Sequence, residues 1–192
     1  MNAALRPTGR RRPLVAALAT AIAVIAAGLS AHLAHAAPAE PVVPTDIAVP
    51  AGNKLFLVGH AVGVQIHTCV PIASGYRWNF VAPRANLYGD NGQLLTTHSG
   101  GPTWTATDGS TAVGSVVGRA TVDPTAIQWL KLAVSTAAGP DGDRLEGTTY
   151  IQRIATTGGL APPAAACNEG TVGTTEEVPY TADYYFWKAS TG

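Results

Sequence analysis

The segment KLFLVGHAVGVQIHTCV, residues 54–70, decides the fold class of this chain. Larger apolar residues alternate along it with small or polar ones, which is the pattern of a β-strand with two different faces. Without a bulge, one face would carry Phe56, Val58, His60, Val62, Val64 and Ile66. Gly59 and Gly63 lie within the run and predict a bend. The segment is therefore expected to be one long, bent strand.

Comparable segments follow it at short intervals, divided by glycine, proline, aspartate and asparagine. They include ANLYGDNGQLLTT (85–97), TWTA (103–106), STAVGSVVGRATV (110–122), AIQWLKLAVST (126–136), LEGTTYIQRIATT (145–157) and VPYTADYYFWKAS (178–190). Asp90-Asn91-Gly92 and Asp108-Gly109 are hairpin signals between such runs. The sequence predicts an all-β domain of about eight to ten antiparallel strands. A β-sandwich or jelly-roll-like arrangement is the expected architecture, with a closed β-barrel as the alternative.

Residues 1–36 have the three parts of a secretory signal peptide. A basic stretch containing Arg10–Arg12 precedes an apolar run, and Ala34-His35-Ala36 supplies the small residues that signal peptidase requires. We expect cleavage between Ala36 and Ala37, giving a secreted or extracytoplasmic protein with no membrane span after cleavage. The three consecutive arginines permit either general secretory or twin-arginine export.

The chain after the signal divides into a linker and one domain. Residues 37–50 contain four prolines and are expected to form an extended linker. Residues 51–190 are expected to form a single β domain, and a monomer is expected. Eight basic and twelve acidic residues follow position 36, a formal net charge of −4. No basic patch remains, which argues against nucleic-acid binding.

Cys69 and Cys167 are the two cysteines of the sequence and lie 98 positions apart. In an exported domain two cysteines most simply form one disulfide. Closing a loop of that length is worth about 4–5 kcal/mol in the chain-entropy model. Metal thiolates are the alternative, but neither cysteine belongs to a Cys-x-x-Cys motif or lies near a cluster of histidines.

His98 is the first candidate for chemistry, because it ends a strand next to the bend Gly100-Gly101-Pro102. Asp108 or Asp183 is the candidate carboxylate beside it if the protein is a hydrolase or lyase. Each has a structural alternative. A histidine at a strand end can be a hydrogen-bonded structural residue, and Asp108 can simply form the Asp-Gly hairpin turn.

A second set of residues is suited to ligand binding. Trp104 and Tyr185 join His98 as candidates at a cleft, although aromatic side chains also fill cores. Arg153 lies in the middle of a strand, where a buried charge must be paired. Its partner is expected to be Asp183 or Asp123, or else the carboxylate of a ligand.

No cofactor and no metal ion is predicted. The glycine spacing of a dinucleotide site is absent, as is Gly-x-Ser-x-Gly. His60 and His67 are an odd number of residues apart and would point to opposite faces of a strand. A metal site would need a three-dimensional gathering of His98, Asp108, Asp123 and Asp183.

Six ordered motifs together resemble a known family. They are GVQIHTC (63–69), HSGGPTW (98–104), DGS (108–110), IQWLKL (127–132), TYIQRIATTGG (149–159) and PYTADYYFW (179–187). The chain resembles the secreted bacterial and fungal proteins of domain-of-unknown-function family 3455 over about residues 45–187. The resemblance implies an exported single domain without an assigned activity.

The function expected from these observations is binding rather than catalysis. Export, low charge, aromatic content and the lack of a catalytic constellation favour a non-enzymatic domain for a polysaccharide or another cell-surface ligand, such as a cell-wall glycan. A hydrolase or lyase using His98 with Asp108 or Asp183 is the second hypothesis. A structural envelope protein without a small-molecule site is the third.

Overall fold

The computed structural model describes residues 38–139 and 143–190, and eight β-strands make up most of this part of the chain. The strands are β1 (Asn53–Ile72), β2 (Gly75–Tyr88), β3 (Leu94–Ser99), β4 (Thr103–Ala106), β5 (Thr111–Ala120), β6 (Trp129–Ala138), β7 (Thr148–Gly158) and β8 (Thr175–Ala189). Single 3-10 turns occur at Thr45–Ile47, Ala164–Ala166 and Glu169–Thr171. The predicted all-β class and antiparallel strands are confirmed. The expected signal peptide, residues 1–36, lies outside the described residues.

The strands form one sheet that closes on itself. Each strand pairs antiparallel with the next along the chain, and β8 pairs with β1, which completes a closed barrel. Of the two architectures that the sequence left open, the closed sheet is therefore the one observed. The pairing of the first strand with the last runs from Asn53 opposite Ala189 to Thr68 opposite Thr175. Strand patterning alone does not determine this closure, because it shows which residues share a face but not which strands meet.

The alternation predicted for β1 is present, with the small residues turned inward. Ala61 belongs to the interior core, whereas Val62 is 60% exposed on the outside. A bulge between Leu55 and Leu57 separates Phe56 from the regular pattern. The interior is filled mainly by larger side chains from the rest of the chain. They are Leu145 of the β6–β7 loop and, from other strands, Leu87, Trp104, Leu132, Ile151, Tyr180, Tyr184 and Phe186.

The end of the proline-rich segment packs on the outside of the barrel. Ile47 is fully buried, and its carbonyl oxygen accepts a hydrogen bond of 2.7 Å from Gln152 Nε2. Gln152 Oε1 in turn accepts one of 2.9 Å from Trp187 Nε1. Ile47 therefore packs on the sheet from within the segment that was expected to be an extended linker. Residues 45–48 belong to the packed domain.

The prediction of one disulfide is confirmed, since Cys69 and Cys167 are bonded. Cys69 lies near the end of β1, and Cys167 lies in the long connection between β7 and β8. Backbone hydrogen bonds reinforce this attachment: Cys69 N donates to Thr174 O, and Gly173 N donates to Cys69 O. The connection is thus held against the end of β1.

β1 and β2 approach each other closely at Gly63. A methyl group at this position would overlap the carbonyl oxygen of Arg84 and the side chain of Ala85. We expect Gly63→Ala to lower the free energy of unfolding by about 2 kcal/mol or more, because the clash is with backbone that belongs to the sheet. Urea denaturation of the disulfide-bonded protein measures the change.

Gly170→Ala is the matched control for this substitution. A methyl group there would meet only Asn168 Oδ1 at an ordinary contact distance of 3.4 Å. Its effect should stay within about 0.5 kcal/mol, as for ordinary surface changes. Equal stability of the two variants would contradict the close approach at Gly63.

Candidate functional site

A cavity of about 390 Å³ lies within the barrel, a volume in the range of about 300–1,000 Å³ typical of small-molecule sites. Its lining comes largely from the end at which the odd-numbered strands finish, which we call the upper end. The apolar part of the lining includes Phe80, Val116, Ile127, Leu130, Leu132 and Leu160. The polar part consists chiefly of Gln65, His67, His98, Arg119, Gln128 and Arg153.

His98 forms part of the cavity wall together with Trp104, as the sequence suggested for a shared cleft. The two residues are opposite each other in β3 and β4, and their rings stack with centroids 4.3 Å apart. The ring of Tyr184 meets His98 edge-on at 5.3 Å. His98 is consequently held on several sides and is 5% exposed.

The protonation state of His98 follows from its surroundings. Nδ1 donates a hydrogen bond of 3.0 Å to the carbonyl oxygen of Thr103, so the neutral ring carries its proton on Nδ1 and leaves Nε2 as an acceptor. Burial lowers the pKa of His98 from 6.5 to about 4, and the nearby Arg153 charge acts in the same direction, against the effect of the Thr103 hydrogen bond. His98 is therefore a neutral imidazole at pH 7.

Asp108 lies away from His98, at the opposite, lower end of the barrel. Its Oδ1 accepts hydrogen bonds from Ser110 N at 3.0 Å and Ser110 Oγ at 2.6 Å, and its Oδ2 accepts one of 2.7 Å from Arg144 N. Ser110 Oγ also accepts a hydrogen bond from Leu145 N. These bonds hold the β6–β7 loop so that Leu145 is fully buried in the lower end of the core. Asp108 is thus a structural clamp and does not line the cavity.

Asp183 lies on the outer face of β8, because Tyr184 beside it takes the inner face. Its Oδ1 is 2.7 Å from His60 Nδ1, while His60 Nε2 is 2.8 Å from Asp90 Oδ1. Hydrogen bonds to these two carboxylates raise the pKa of His60. Tyr185 follows on the outside of β8 and does not line the cavity. The structure therefore separates Asp183 and Tyr185 from His98.

Arg153 lines the cavity and does not form the ion pair predicted with Asp183 or Asp123. Arg153 lies opposite the inward-facing Tyr184, whereas Asp183 lies opposite Ile154 and bonds to His60. Asp123 instead closes a turn by accepting hydrogen bonds from Thr125. Arg153 forms no ion pair with any described residue.

Three polar residues of the lining, Gln65, His67 and Trp104, have a buried side-chain nitrogen without a hydrogen-bond partner within the described part of the chain. The side chain of Gln65 is on the inner face of β1, and the residue is 2% exposed with Nε2 unpaired. Trp104 Nε1 is also buried and unpaired. Gln65 and Arg119 were not among the candidate residues predicted from the sequence. A polar glutamine on the small-residue face of β1 was the available signal, since that face proves to be the interior.

The upper wall of the cavity is held by the disulfide connection. Gly159, Leu160 and Ala161 begin the β7–β8 connection and line the cavity. The same connection is bonded to β1 through Cys167 and receives a hydrogen bond of 3.3 Å from Trp78 Nε1 at Pro163 O. The crosslink therefore constrains a segment that shapes the site.

Two further properties apply to the described residues, 38–139 and 143–190. Within these ranges no group of three or more histidine, cysteine, aspartate or glutamate side chains is arranged to hold a metal ion. No helix within them is sufficiently long and apolar to cross a membrane.

The fold and cavity define a closed antiparallel β domain with an internal, ligand-sized site. The chain belongs to a family described as "Protein of unknown function (DUF3455)", whose model matches residues 50–188. This match confirms the resemblance seen in the six sequence motifs. No curated protein and no solved structure shows a significant match to the chain.

The hydrogen bonds of Asp108 should make the free energy of unfolding depend on pH. Hydrogen bonds lower the pKa of Asp108 from 3.8 to about 2, and the bond from the Ser110 hydroxyl has the largest effect. Its carboxylate therefore stabilises the fold above about pH 4, and this contribution is lost as the pH falls towards 2. Asp108→Asn should lower the urea midpoint at pH 7, with a smaller difference from wild type at pH 3.

Glu146→Gln is the control for that series, because Glu146 is exposed in the same loop and its side chain forms no hydrogen bond with a described residue. It should leave the midpoint unchanged at both pH values. The stabilising role of the Asp108 carboxylate is contradicted if Asp108→Asn leaves the urea midpoint unchanged at pH 7, or lowers it equally at pH 7 and pH 3.

Proposed function

We propose that this protein is a non-enzymatic binding domain that holds a small, largely apolar molecule in its internal cavity. The observation that carries the proposal is the composition of the lining, in which Phe80, Leu130 and Leu160 accompany a few polar groups. A concave apolar site with a small number of polar side chains is the usual form of a ligand pocket. Such a site also argues against a purely structural envelope protein.

Binding is better supported than hydrolase or lyase chemistry. In either reaction, a catalytic His98 would be expected to lie within hydrogen-bond reach of Asp108 or Asp183. His98 bonds to a backbone carbonyl, whereas Asp108 clamps the lower loop and Asp183 pairs with His60 on the outside. Neither carboxylate lines the cavity with His98.

The arrangement of the aromatic residues favours a small ligand over a polysaccharide. Stacking on a sugar ring requires an exposed aromatic face. Trp104 is fully buried and stacks on His98, while Tyr185 lies on the opposite side of the sheet. The proposed ligand is therefore a compact molecule that enters the barrel, in place of the polysaccharide expected from the sequence.

The site of action belongs to the same proposal. We place the protein outside the cytoplasm, by general secretory or twin-arginine export, on the strength of the signal-like residues 1–36. The disulfide between Cys69 and Cys167 is compatible with an oxidising compartment.

Two neighbouring valines of β5 provide a matched test of the cavity. Val116 lines it, whereas Val117 is 52% exposed on the outside. The neutral probe N-phenyl-1-naphthylamine should bind the wild-type domain, with a rise in fluorescence. Val116→Trp should weaken binding about 10-fold or more because the larger ring occupies the site. Val117→Trp should bind as wild type does.

Folding of both variants is checked by circular dichroism and by the urea midpoint, with Val116→Phe as a milder filling substitution. If the folded wild-type domain fails to bind the probe, the proposed function is overturned. Equal binding by the two tryptophan variants would also overturn it, since the probe would then be outside the cavity.

A further inference from the structure

The polar lining of the cavity is rich in positive charge and N–H donors and has no carboxylate. Arg119 and Arg153 both contribute to it, and neither forms an ion pair with a residue in the described part of the chain. No aspartate or glutamate is among the residues that line the cavity. Arg119 is exposed and Arg153 is half-buried, so both cations are accessible to an anionic ligand that enters the cavity.

The guanidinium of Arg153 is held in one orientation by the backbone. Its Nε and Nη2 atoms donate hydrogen bonds of 3.2 and 2.8 Å to the carbonyl oxygen of Gln128. An arginine side chain has five N–H donors in a planar arrangement. Nη1 and the second N–H of Nη2 take no part in these two bonds. One N–H of Nη1 and the second N–H of Nη2 are parallel, and such a pair matches the two oxygens of a carboxylate.

Two unpaired donors reinforce the same requirement. Gln65 Nε2 and Trp104 Nε1 are buried and lack a well-formed hydrogen bond within the described residues, although the Tyr180 hydroxyl lies near Gln65; both residues line the cavity. The great majority of buried polar groups in proteins are hydrogen-bonded. Unpaired donors in a cavity wall therefore indicate a ligand that supplies acceptors. Arg153, Gln65 and Trp104 therefore all offer N–H donors to a ligand that carries hydrogen-bond acceptors.

We propose that the ligand is a small organic acid whose carboxylate binds Arg153, with Gln65 as a further donor, and whose apolar body packs against Phe80, Leu130 and Leu160. This inference rests on the proposed function, because it names the class of molecule that the cavity holds. No bond is made or broken in the ligand.

A matched pair of ligands, 2-naphthoate and 2-naphthamide, tests the inference. Titration calorimetry at pH 7 measures the affinity of the wild-type domain for each. The two molecules have the same apolar body and differ in the anionic group. We expect 2-naphthoate to bind about 10-fold or more tightly, since a hydrogen bond to a charged group is stronger than a neutral one.

Three variants assign this preference to residues. Arg153→Gln should remove it by weakening naphthoate and not naphthamide, and Gln65→Leu should reduce it. Arg84→Gln is the control, because Arg84 pairs with Glu177 at 2.6 Å outside this cavity and its loss should leave the preference intact. Binding of N-phenyl-1-naphthylamine by each variant verifies that the cavity remains formed.

The outcomes separate the inference from the proposed function. If the neutral probe binds but naphthoate and naphthamide bind equally, or neither binds, the organic-acid inference is overturned and the proposed function stands. If the preference persists in Arg153→Gln, the assignment to Arg153 is overturned. If neither the probe nor either naphthalene ligand binds the folded wild type, both proposals fail.

Discussion

The pairing of β1 with β8 is the constraint on which the rest of the structure depends. It joins the two ends of the domain, Asn53 with Ala189 and Thr68 with Thr175, and turns a chain of hairpins into a closed barrel. Closure removes the free edges of the sheet and gives every strand an inside and an outside. The inside then has to be filled by side chains or left as a cavity.

The filling differs between the two ends of the barrel. At the lower end, Asp108 and Ser110 hold the loop that delivers Leu145 to the core. At the upper end, the wall contains Gln65 and Arg153, and the crosslinked β7–β8 connection contributes Leu160. Packing therefore closes one end, while the other keeps a cavity whose polar groups are only partly satisfied by the protein. This asymmetry is the physical basis of the proposed binding function.

Much of the fold could be predicted from sequence, whereas the site could be predicted only in part. The alternation in β1, the turn residues and the two cysteines carry local or pairwise information, and the strands and the disulfide match them. His98, Trp104 and Arg153 were recognised and line the cavity. Asp108 and Asp183 do not join them, because their positions depend on which strand end and which face each one occupies. The burial of Ile47, within the expected linker, likewise depends on contact with residues far along the chain.

The sequence by itself determined the β-strands, their turns and the residues that share each face, because side-chain direction alternates along a strand and turn residues act locally. It also determined which cysteines were available to pair. Only the tertiary structure decided that the small-residue face of β1 is the inner one and that the last strand meets the first. Those two facts place His98 and Arg153 in one cavity and leave Asp183 outside, because closure of the sheet gives neighbouring residues of a strand opposite surroundings.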